Sequence, residues 1–298
     1  MISIKNVLLG SALALGLFTA CDTEDDSTES VDSPATISGI VSTSDNFTTL
    51  NAALEAAELD SVLAGEGPFT VFAPTDAAFE ALAQGTLEAL LDDIPKLTKI
   101  LQQHVVVGKL SSTAVLGEEA LTSLFGQDLA VSSEGPSIGG VIISSVDIPA
   151  SNGVIHVIDA VLIPRDIVEE ATYRGFTTLV AALDNAGITD ALKADGPLTV
   201  FAPTNEAFAA VDGLDAILAD TNKDPLVAIL KNHVVSGENK AEVVVGLSTV
   251  ETLNNEQMSV EVVDEEVMLN GSSKVTATDI LGLNGVIHVI DKVITTVN

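Results

Sequence analysis

The four histidines are the side chains best suited to chemistry, and they form two matched pairs: His104 with His156, and His233 with His288. Histidine can accept a proton or bind a metal near neutral pH. A metal site needs three or four converging ligands, and the sequence has no HExxH motif or His/Cys cluster. It lacks the SxxK motif, and the GxSxG match at residues 135–139 leads into a predicted hairpin turn and not a helix, so it does not form a nucleophile elbow. A Ser-His-Asp set assembled from distant residues stays an open alternative. We predict no catalytic residue and no metal site.

The elements that carry the histidines favour a structural role. His104 and His233 continue apolar stripes at the i, i+3, i+4, i+7 spacing of a helix face, with Leu97, Ile100 and Leu101 in one case and Leu226, Ile229 and Leu230 in the other. His156 and His288 each lie in a GVIHVI run that is typical of a buried strand. We therefore expect core histidines that join a helix to a sheet through one or two hydrogen bonds.

Two carboxylates, Asp159 and Asp291, end the same apolar strand runs. A charge in an apolar strand needs a partner, so we predict hydrogen bonds to backbone amides or to the hydroxyls of Thr75 or Thr204. A carboxylate that faces a ligand is the alternative. Thr75 and Thr204 themselves follow a predicted strand and precede a short helix, which predicts helix caps.

Composition excludes several classes of partner. The 298 residues contain 12 basic and 43 acidic side chains, a formal net charge of −31. A chain with so few cations cannot neutralise nucleic-acid phosphates, so we predict no nucleic-acid partner. Acidic clusters lack the DxDxDG spacing of a calcium loop, so we predict no cofactor beyond diffuse association of Ca²⁺ or Mg²⁺.

The N-terminal segment is typical of an export signal. Lys5 precedes an apolar run over 7–18 that is too short to span a bilayer, and Cys21, the one thiol, follows it. This resembles a bacterial lipoprotein signal, with residues 1–20 removed and Cys21 lipidated, so the lipid anchor is the predicted membrane contact. A secreted protein with a stray thiol is the alternative. Residues 21–35 then predict an acidic tether. Its acidic run resembles the surface-export signal of Bacteroidetes lipoproteins, whereas Asp22, directly after the cysteine, resembles an inner-membrane retention mark of enteric bacteria. A plain solvated linker is the alternative.

The rest of the chain is one unit written twice. The 33 residues from Phe47 match those from Phe176 at about 19 positions, with an offset of 129. NGVIHVIDAV from Asn152 matches NGVIHVIDKV from Asn284 with an offset of 132, so the second copy gains three residues before Asn284. We predict domains at 36–164 and 175–298, joined by a charged linker at 165–174.

Within a unit, helical patterns precede strand patterns, which indicates the α+β class. Leu50, Leu54, Ala57 and Val62 predict one amphipathic helix, and residues 154–163 predict a strand covered on both faces. Gly139-Gly140 and Asn270-Gly271 predict hairpin turns.

The repeated motifs resemble the signatures of the fasciclin domain. They read TVFAPTDAAF (70–79), NGVIHVIDAVLIP (152–164), TVFAPTNEAF (199–208) and NGVIHVIDKVI (284–294), with LQQHVVVG (101–108) and LKNHVVSG (230–237) where the family places a Tyr-His pair. Carried over onto this chain, the motif residues, which we expect to be structural, are Thr70, Phe72, Pro74, Thr75, Phe79, His104, Asn152, Gly153, His156, Asp159, Thr199, Phe201, Pro203, Thr204, Phe208, His233, Asn284, Gly285, His288 and Asp291.

The resemblance implies, for each domain, a wedge of two β-sheets flanked by short helices, duplicated in tandem. It also implies adhesion or matrix interaction instead of catalysis. Gln103 and Asn232 stand at the tyrosine position and there is no RGD sequence, so integrin binding is not carried over.

We therefore expect a non-catalytic adhesion or interaction protein, lipid-anchored at the cell envelope and predicted at the outer membrane. Its expected partner is a protein or polysaccharide at the cell surface or matrix. A periplasmic or surface protein that binds an apolar small molecule is the alternative.

Overall fold

A computed structural model describes residues 35–194, 196–213 and 222–295. The predicted signal peptide, Cys21 and the tether up to residue 34 lie outside these residues. Among the described residues, we find no helix with both the length and the apolar character needed to span a bilayer.

The first domain alternates short helices with strands and ends in a run of strands. Its helices are α1 (Ile37–Thr43), α2 (Thr48–Ala56), α3 (Asp60–Ala64), α4 (Asp76–Glu80), α5 (Thr86–Asp92), α6 (Ile94–Gln103) and α7 (Ser112–Val115). Its strands are β1 (Phe69–Pro74), β2 (Val105–Val107), β3 (Ala120–Thr122), β4 (Asp128–Ser132), β5 (Ser137–Ile138), β6 (Val141–Ala150) and β7 (Gly153–Ile158).

The second domain repeats this order. Its described helices are α8 (Ile167–Tyr173), α9 (Thr177–Ala186), α10 (Thr189–Lys193), α11 (Asn205–Ala209), α12 (Asp224–Asn232) and α13 (Ala241–Val244). Its strands are β8 (Leu198–Pro203), β9 (Val234–Ser236), β10 (Thr249–Glu251), β11 (Gln257–Val263), β12 (Glu266–Leu269), β13 (Ser273–Gly282) and β14 (Gly285–Ile290). The α+β class is confirmed.

Seven strands pair in each domain, in the order β2-β1-β7-β6-β5-β4-β3 and its counterpart β9-β8-β14-β13-β12-β11-β10. The central pair is parallel, β1 with β7 and β8 with β14, and the other pairs are antiparallel. The start of β6 pairs with β5 and the rest of β6 with β7, so the two halves of the expected wedge share this long strand.

Two apolar clusters fill each domain, one on each face of the central strands. In β1, Val71 and Ala73 pack with the helices, and Phe72 packs with β2 to β6 on the other face. Every residue of β7 and of β14 is buried because both faces are covered.

Two element boundaries differ from the sequence prediction. The single helix predicted from Leu50 to Val62 is two helices, separated by Glu58 with φ of 55°, and Val62 is exposed. The strand predicted over 154–163 ends at Ile158. The hairpin turns at Gly139-Gly140 and Asn270-Gly271 are confirmed, between β5 and β6 and between β12 and β13.

The predicted linker segment, 165–174, contains a helix. Residues 167–173 form helix α8, which is the counterpart of α1 at the start of the second domain. The amide of Ile37 donates to Asn152 Oδ1, and the amide of Ile167 donates to Asn284 Oδ1 in the same way. Charged residues indicated a linker, but Asp166 and Glu169 build a capping box that starts the helix.

Candidate functional site

The Asn-Gly motif is a structural clamp. Asn152 accepts the Ile37 amide at 2.9 Å and donates from Nδ2 to the carbonyls of Leu63 at 2.7 Å and Gly65 at 2.8 Å. Asn284 makes the same three bonds in the second domain, to Ile167, Leu192 and Ala194. One amide thereby fixes the start of the first helix against the end of the third, so all of its polar atoms are committed to the fold.

The glycine after each asparagine is required by a close approach of two strands. A Cβ on Gly153 would lie 2.0 Å from the Phe69 carbonyl oxygen, and one on Gly285 would lie 2.0 Å from that of Leu198. These positions open the parallel pairs β1–β7 and β8–β14. A side chain there would force the central strands apart.

The first threonine of the TVFAPT motif joins the central strand β1 or β8 to the loop that follows the neighbouring strand, β2 or β9. Thr70 Oγ1 donates to the Gly108 carbonyl at 2.7 Å and accepts the Leu110 amide at 2.9 Å. Thr199 does the same with the Gly237 carbonyl and the Asn239 amide. Both threonines are fully buried, so these hydroxyls satisfy backbone groups that water cannot reach.

The aromatic members of the motif are core residues. Phe72 packs against the His156 ring with centroids 5.6 Å apart, and Phe201 packs against His288 at 5.5 Å. Phe79 and Phe208 are buried in the short helices that follow. Pro74 and Pro203 are the last residues of β1 and β8.

Thr75 and Thr204 are the predicted helix caps. Thr75 Oγ1 accepts the Ala78 amide at 3.2 Å, and Thr204 Oγ1 accepts the Ala207 amide at 3.1 Å. The next residue, Asp76, reaches away to the first turn of α2, where it accepts from the amides of Thr48 and Thr49. Burial raises the pKa of Asp76, but these hydrogen bonds outweigh it and hold the pKa below its ordinary value.

His104 and His233 join a helix end to the chain segment beyond the central strand. His104 Nδ1 lies 2.8 Å from the Ile100 carbonyl, and Nε2 accepts the Leu162 amide at 2.9 Å. His233 makes the same bonds with Ile229 and Ile294. Because a carbonyl only accepts, Nδ1 carries the proton. Burial lowers the pKa of each ring to about 4, against a smaller opposing effect of the hydrogen bond to the carbonyl.

His156 and His288 use the other tautomer. His156 Nδ1 accepts the Asp147 amide at 3.2 Å, and Nε2 lies 2.9 Å from the Leu110 carbonyl. His288 bonds to the Asp279 amide and the Asn239 carbonyl at 3.4 and 2.8 Å. Burial lowers the pKa of His288. All eight ring nitrogens of the four histidines are thus bonded to backbone groups, which leaves none to accept a substrate proton or bind a metal.

Sequence reasoning missed Asp147 and Asp279, which hold these histidines. Both have left-handed backbone, with φ of 59° and 58°, at irregularities of β6 and β13. The Asp147 carboxylate accepts the amide of Ser112 at 2.8 Å and its hydroxyl at 2.5 Å, and these bonds hold the pKa of Asp147 below its ordinary value. Asp279 accepts the Ala241 amide at 2.9 Å. The signal available in the sequence was an aspartate repeated at the same offset of 132 as the Asn-Gly motif.

The prediction for Asp159 and Asp291 needs correction. Both are exposed and lie just after strands that end at Ile158 and Ile290, so neither is a charge within an apolar strand. Asp291 accepts the Lys274 amide at 2.8 Å, which is one of the predicted kinds of bond. Among the described hydrogen bonds, the hydroxyls of Thr75 and Thr204 accept from helix amides, and neither donates to these aspartates.

The positions where the family has tyrosine are buried in this chain. Gln103 Oε1 accepts the Ser123 hydroxyl at 2.7 Å, and Asn232 is 3% exposed. In the described part of the chain, no group of three or more His, Cys, Asp or Glu side chains is arranged to hold a metal. Most motif residues of both domains therefore build the fold, whereas Asp159 and Asp291 are exposed.

The junction between the domains is a second site that sequence reasoning missed. Gln127 of the first domain is fully buried. Its Nε2 donates to the carbonyls of Arg165 at 3.0 Å and Leu281 at 2.9 Å, and its Oε1 accepts the Arg165 amide at 2.9 Å. The side-chain amide of Gln127 thus makes three hydrogen bonds to backbone groups of the second domain. At the matching place in the second domain stands Glu256, so the signal was a difference between the repeats.

A buried carboxylate supports the same junction. Glu170 in α8 is fully buried and bonds to Arg165 Nε at 2.7 Å and to Arg174 Nε at 2.8 Å. The Arg165 guanidinium lies 4.0 Å from the centre of the Tyr173 ring and donates to the Asp128 carbonyl of the first domain. The hydrogen bond to Glu170 raises the pKa of Arg174. The first helix of the second domain is thereby linked to the first domain.

A third contact closes the junction. Lys99 Nζ forms an ion pair with Glu238 at 2.7 Å and donates to the Leu283 carbonyl at 3.3 Å. Residues 34–298, which include both domains, form one compact unit.

Comparisons with known proteins agree with this arrangement. The Fasciclin domain model matches the chain twice, at residues 45–164 and 174–296. Protein sll1483 of Synechocystis sp. is 42% identical over 166 residues, covering 52% of this chain and 92% of that protein. Transforming growth factor-beta-induced protein ig-h3 of Sus scrofa is 32% identical over 244 residues, covering 77% of this chain and 35% of that protein. The chain thus spans about a third of the length of this vertebrate relative.

A solved structure has the same fold. It is a FAS1 domain pair from the insect cell adhesion molecule Fasciclin I, with a TM-score of 0.51 at 19% identity, covering 82% of this chain and 96% of that one. The fold is therefore that of a tandem pair of fasciclin domains. The chain belongs to the fasciclin-domain family, as its two sets of motifs predicted.

Proposed function

We propose that this chain is a non-catalytic adhesion or interaction protein, anchored by lipid at Cys21 to the outer membrane of the cell envelope. Its partner is a protein or polysaccharide at the cell surface or in the matrix. The observation that carries the proposal is the junction at Gln127, which holds two modules in one unit, so that a partner site on each module would be held at a fixed spacing. Two sites on one body gain avidity without any new contact. Family membership supports the same class of role.

The charge of the chain supports a role for divalent cations. A net charge of −31 would repel an acidic partner or a second anchored copy. Ca²⁺ or Mg²⁺ associating diffusely with the acidic surface would reduce that repulsion more strongly than the same ionic strength of Na⁺. No resident cofactor is part of the proposal.

The alternative, a binder of an apolar small molecule, finds little support in the second domain. The apolar cavity between α8, α9 and β8 is lined by Leu179, Leu183 and Ile287, and it holds about 10 Å³. Such a space is barely that of one water molecule. An adhesion role needs no such cavity.

Two measurements test the proposal. Intact cells expressing the full chain would be treated with protease and probed for both domains, with Cys21→Ala as the matched control. We expect both domains to be cleaved on intact cells, and the Cys21→Ala protein to be lost from the membrane fraction. Beads coated with the full chain would then be assayed for binding to cells in CaCl₂, MgCl₂ and NaCl at equal ionic strength.

We expect binding to increase with either divalent salt beyond its level in NaCl. Protection of both domains until the outer membrane is opened would contradict exposure on the surface. Equal binding by coated and uncoated beads would contradict an adhesive role, and saturable uptake of an apolar probe by each domain would favour the alternative.

A further inference from the structure

The junction joins two different faces, so each module has both kinds of face. The first domain contributes what we call the key face, which comprises Pro95, Lys96, Lys99 and Gln127. The second domain contributes the receiving end, which comprises Arg165, Glu238, Leu281, Leu283 and Asn284. Because the contact is head-to-tail, a chain of two modules leaves one key face and one receiving end unused. The unused receiving end belongs to the first domain, and the unused key face belongs to the second.

Hydrogen bonds establish which residues form the unused receiving end. Leu283 donates its amide to the Arg165 carbonyl, and Ser151 donates to the Ala35 carbonyl in the same way. Ser151 therefore matches Leu283, and Pro149, two residues earlier, matches Leu281. The amide of Gly108 donates to the Pro68 carbonyl, and the amide of Gly237 donates to the Pro197 carbonyl in the same way. Lys109, the residue after Gly108, therefore matches Glu238.

The unused receiving end is open. Ala35, Lys109, Pro149 and Ser151 are all exposed, whereas Leu281 and Leu283 are half-buried. A groove of about 580 Å³ lies beside Lys109 and Ser151, and its other lining residues include Thr36, Gly65 and Glu66. The backbone geometry that accepts a module in the second domain is thus repeated in the first domain, where no described residue covers it.

At the position of Glu238, the unused receiving end has a charge opposite to that of the covered receiving end. At the covered receiving end, Glu238 pairs with Lys99 of the key face. At the open one, the matching residue is Lys109, for which the described structure shows no ion pair. A key face that fits here therefore needs an acid at the position of Lys99, and an amide at the position of Gln127 to meet the backbone.

A second copy of this chain does not meet these requirements. Its unused key face has Ala228 at the position of Lys99 and Glu256 at the position of Gln127. The alanine offers Lys109 no charge. The glutamate offers acceptors only, where Gln127 donates twice to carbonyls. The unused key face of this chain therefore does not match its own unused receiving end.

We propose that the open receiving end of the first domain docks a fasciclin module of a different protein, one whose key face carries an acid and an amide at these two positions. This inference rests on the proposed interaction role and names the class of partner. Docking would extend the row of modules by the same head-to-tail geometry that joins the two domains here.

The experiment introduces a matching key face into the second domain of the full chain. In Ala228→Glu/Glu256→Gln, the second domain presents an acid and an amide at the required positions. Sedimentation velocity at low ionic strength would measure its self-association, with wild type, Ala228→Lys/Glu256→Gln and Ala228→Glu/Glu256→Gln/Lys109→Glu as matched controls. We expect the variant to associate at least about tenfold more tightly than each of the three controls, and added salt to weaken this association.

Three outcomes would overturn the inference. The variant could remain monomeric, which would show that the surface has no affinity for the matching key face. Association could persist unchanged with Lys109→Glu, which would place the contact elsewhere. Wild type could associate as tightly as the variant, which would make a second copy the occupant. The measurement needs neither a membrane nor a cell, so its failure is distinct from failure of the adhesion assays.

Discussion

Each buried histidine is held in one neutral tautomer by one backbone donor and one backbone acceptor. For His104, protonation of Nε2 would set an N–H against the amide of Leu162, which donates to that nitrogen. His233 faces the same conflict with Ile294. A charged ring would also lie in a fully buried position. Protonation of these two residues is therefore coupled to loss of the fold.

The first prediction is that these histidines destabilise the fold in mild acid. The folded-state pKa of about 4 lies below the unfolded value of about 6.5. The unfolded chain therefore binds protons first, and stability falls as pH decreases from about 6.5 to about 4. The expected loss is about 3 kcal/mol for each histidine. We expect His104→Gln to be less stable at pH 7 and to lose less stability towards pH 4 than wild type, as measured by urea denaturation.

The comparison with wild type separates the histidine effect from the acidic surface. Protonation of carboxylates reduces the repulsion within a chain of net charge −31, and it does so equally in both proteins. His233→Gln should reproduce the result in the second domain. Parallel stability curves for wild type and His104→Gln between pH 7 and pH 4 would contradict the prediction.

At the residue scale, the spacing of apolar residues predicted that the histidines are buried, but it did not predict their hydrogen-bond partners. The apolar stripe around His104 and His233 indicated core positions, because i, i+3, i+4 and i+7 define one face of a helix. Their partners, Leu162 and Ile294, lie 58 and 61 residues further along the chain. The tautomers therefore depend on a tertiary arrangement that no local pattern contains. Asp147 escaped prediction for a similar reason, because its role depends on a positive φ within a strand.

At the scale of elements, helix α8 shows how a charged segment can be part of a core. Charged side chains predict a linker at 165–174, yet Ile167, Val168 and Ala171 are buried against the second domain. The counterpart α1 shares little sequence with it, so the repeat was visible only from Phe176 onwards. Asp166 starts the helix with a capping box, and Glu170 in the first turn is neutralised by two arginines.

The second prediction contrasts two ion pairs with the same substitution. Glu170→Gln removes a buried charge and leaves Arg165 and Arg174 without their partner, so we expect a loss of about 3–5 kcal/mol in the free energy of unfolding. Glu266→Gln breaks an exposed pair with Lys274, for which we expect about 1 kcal/mol or less. Urea denaturation at pH 7 measures both. Similar losses in the two variants would show that the pair at Glu170 contributes no more than a surface contact.

At the scale of the whole molecule, the relation between the domains depends on positions where the repeats differ. Identities between the repeats located the domain cores and the family motifs, because both copies must bury the same surfaces. Gln127 and Lys99 correspond to Glu256 and Ala228, and only the first pair is engaged at the junction. A comparison that scores identities passes over such positions. The fold of each module was therefore predictable from sequence, while the docking of the two modules was not.

The third prediction tests whether Gln127 couples the two domains. In Gln127→Glu, a carboxylate would face the carbonyl oxygens of Arg165 and Leu281, with two hydrogen bonds lost and a buried charge unpaired. We expect wild type to unfold in one calorimetric transition and Gln127→Glu to unfold in two, because the domains would no longer stabilise each other. Glu256→Gln is the matched control, since it makes the reverse change at the equivalent half-buried position. It should keep a single transition. One transition in Gln127→Glu, with a midpoint within about 2 °C of wild type, would mean that Lys99, Arg165 and Glu170 couple the domains without the amide.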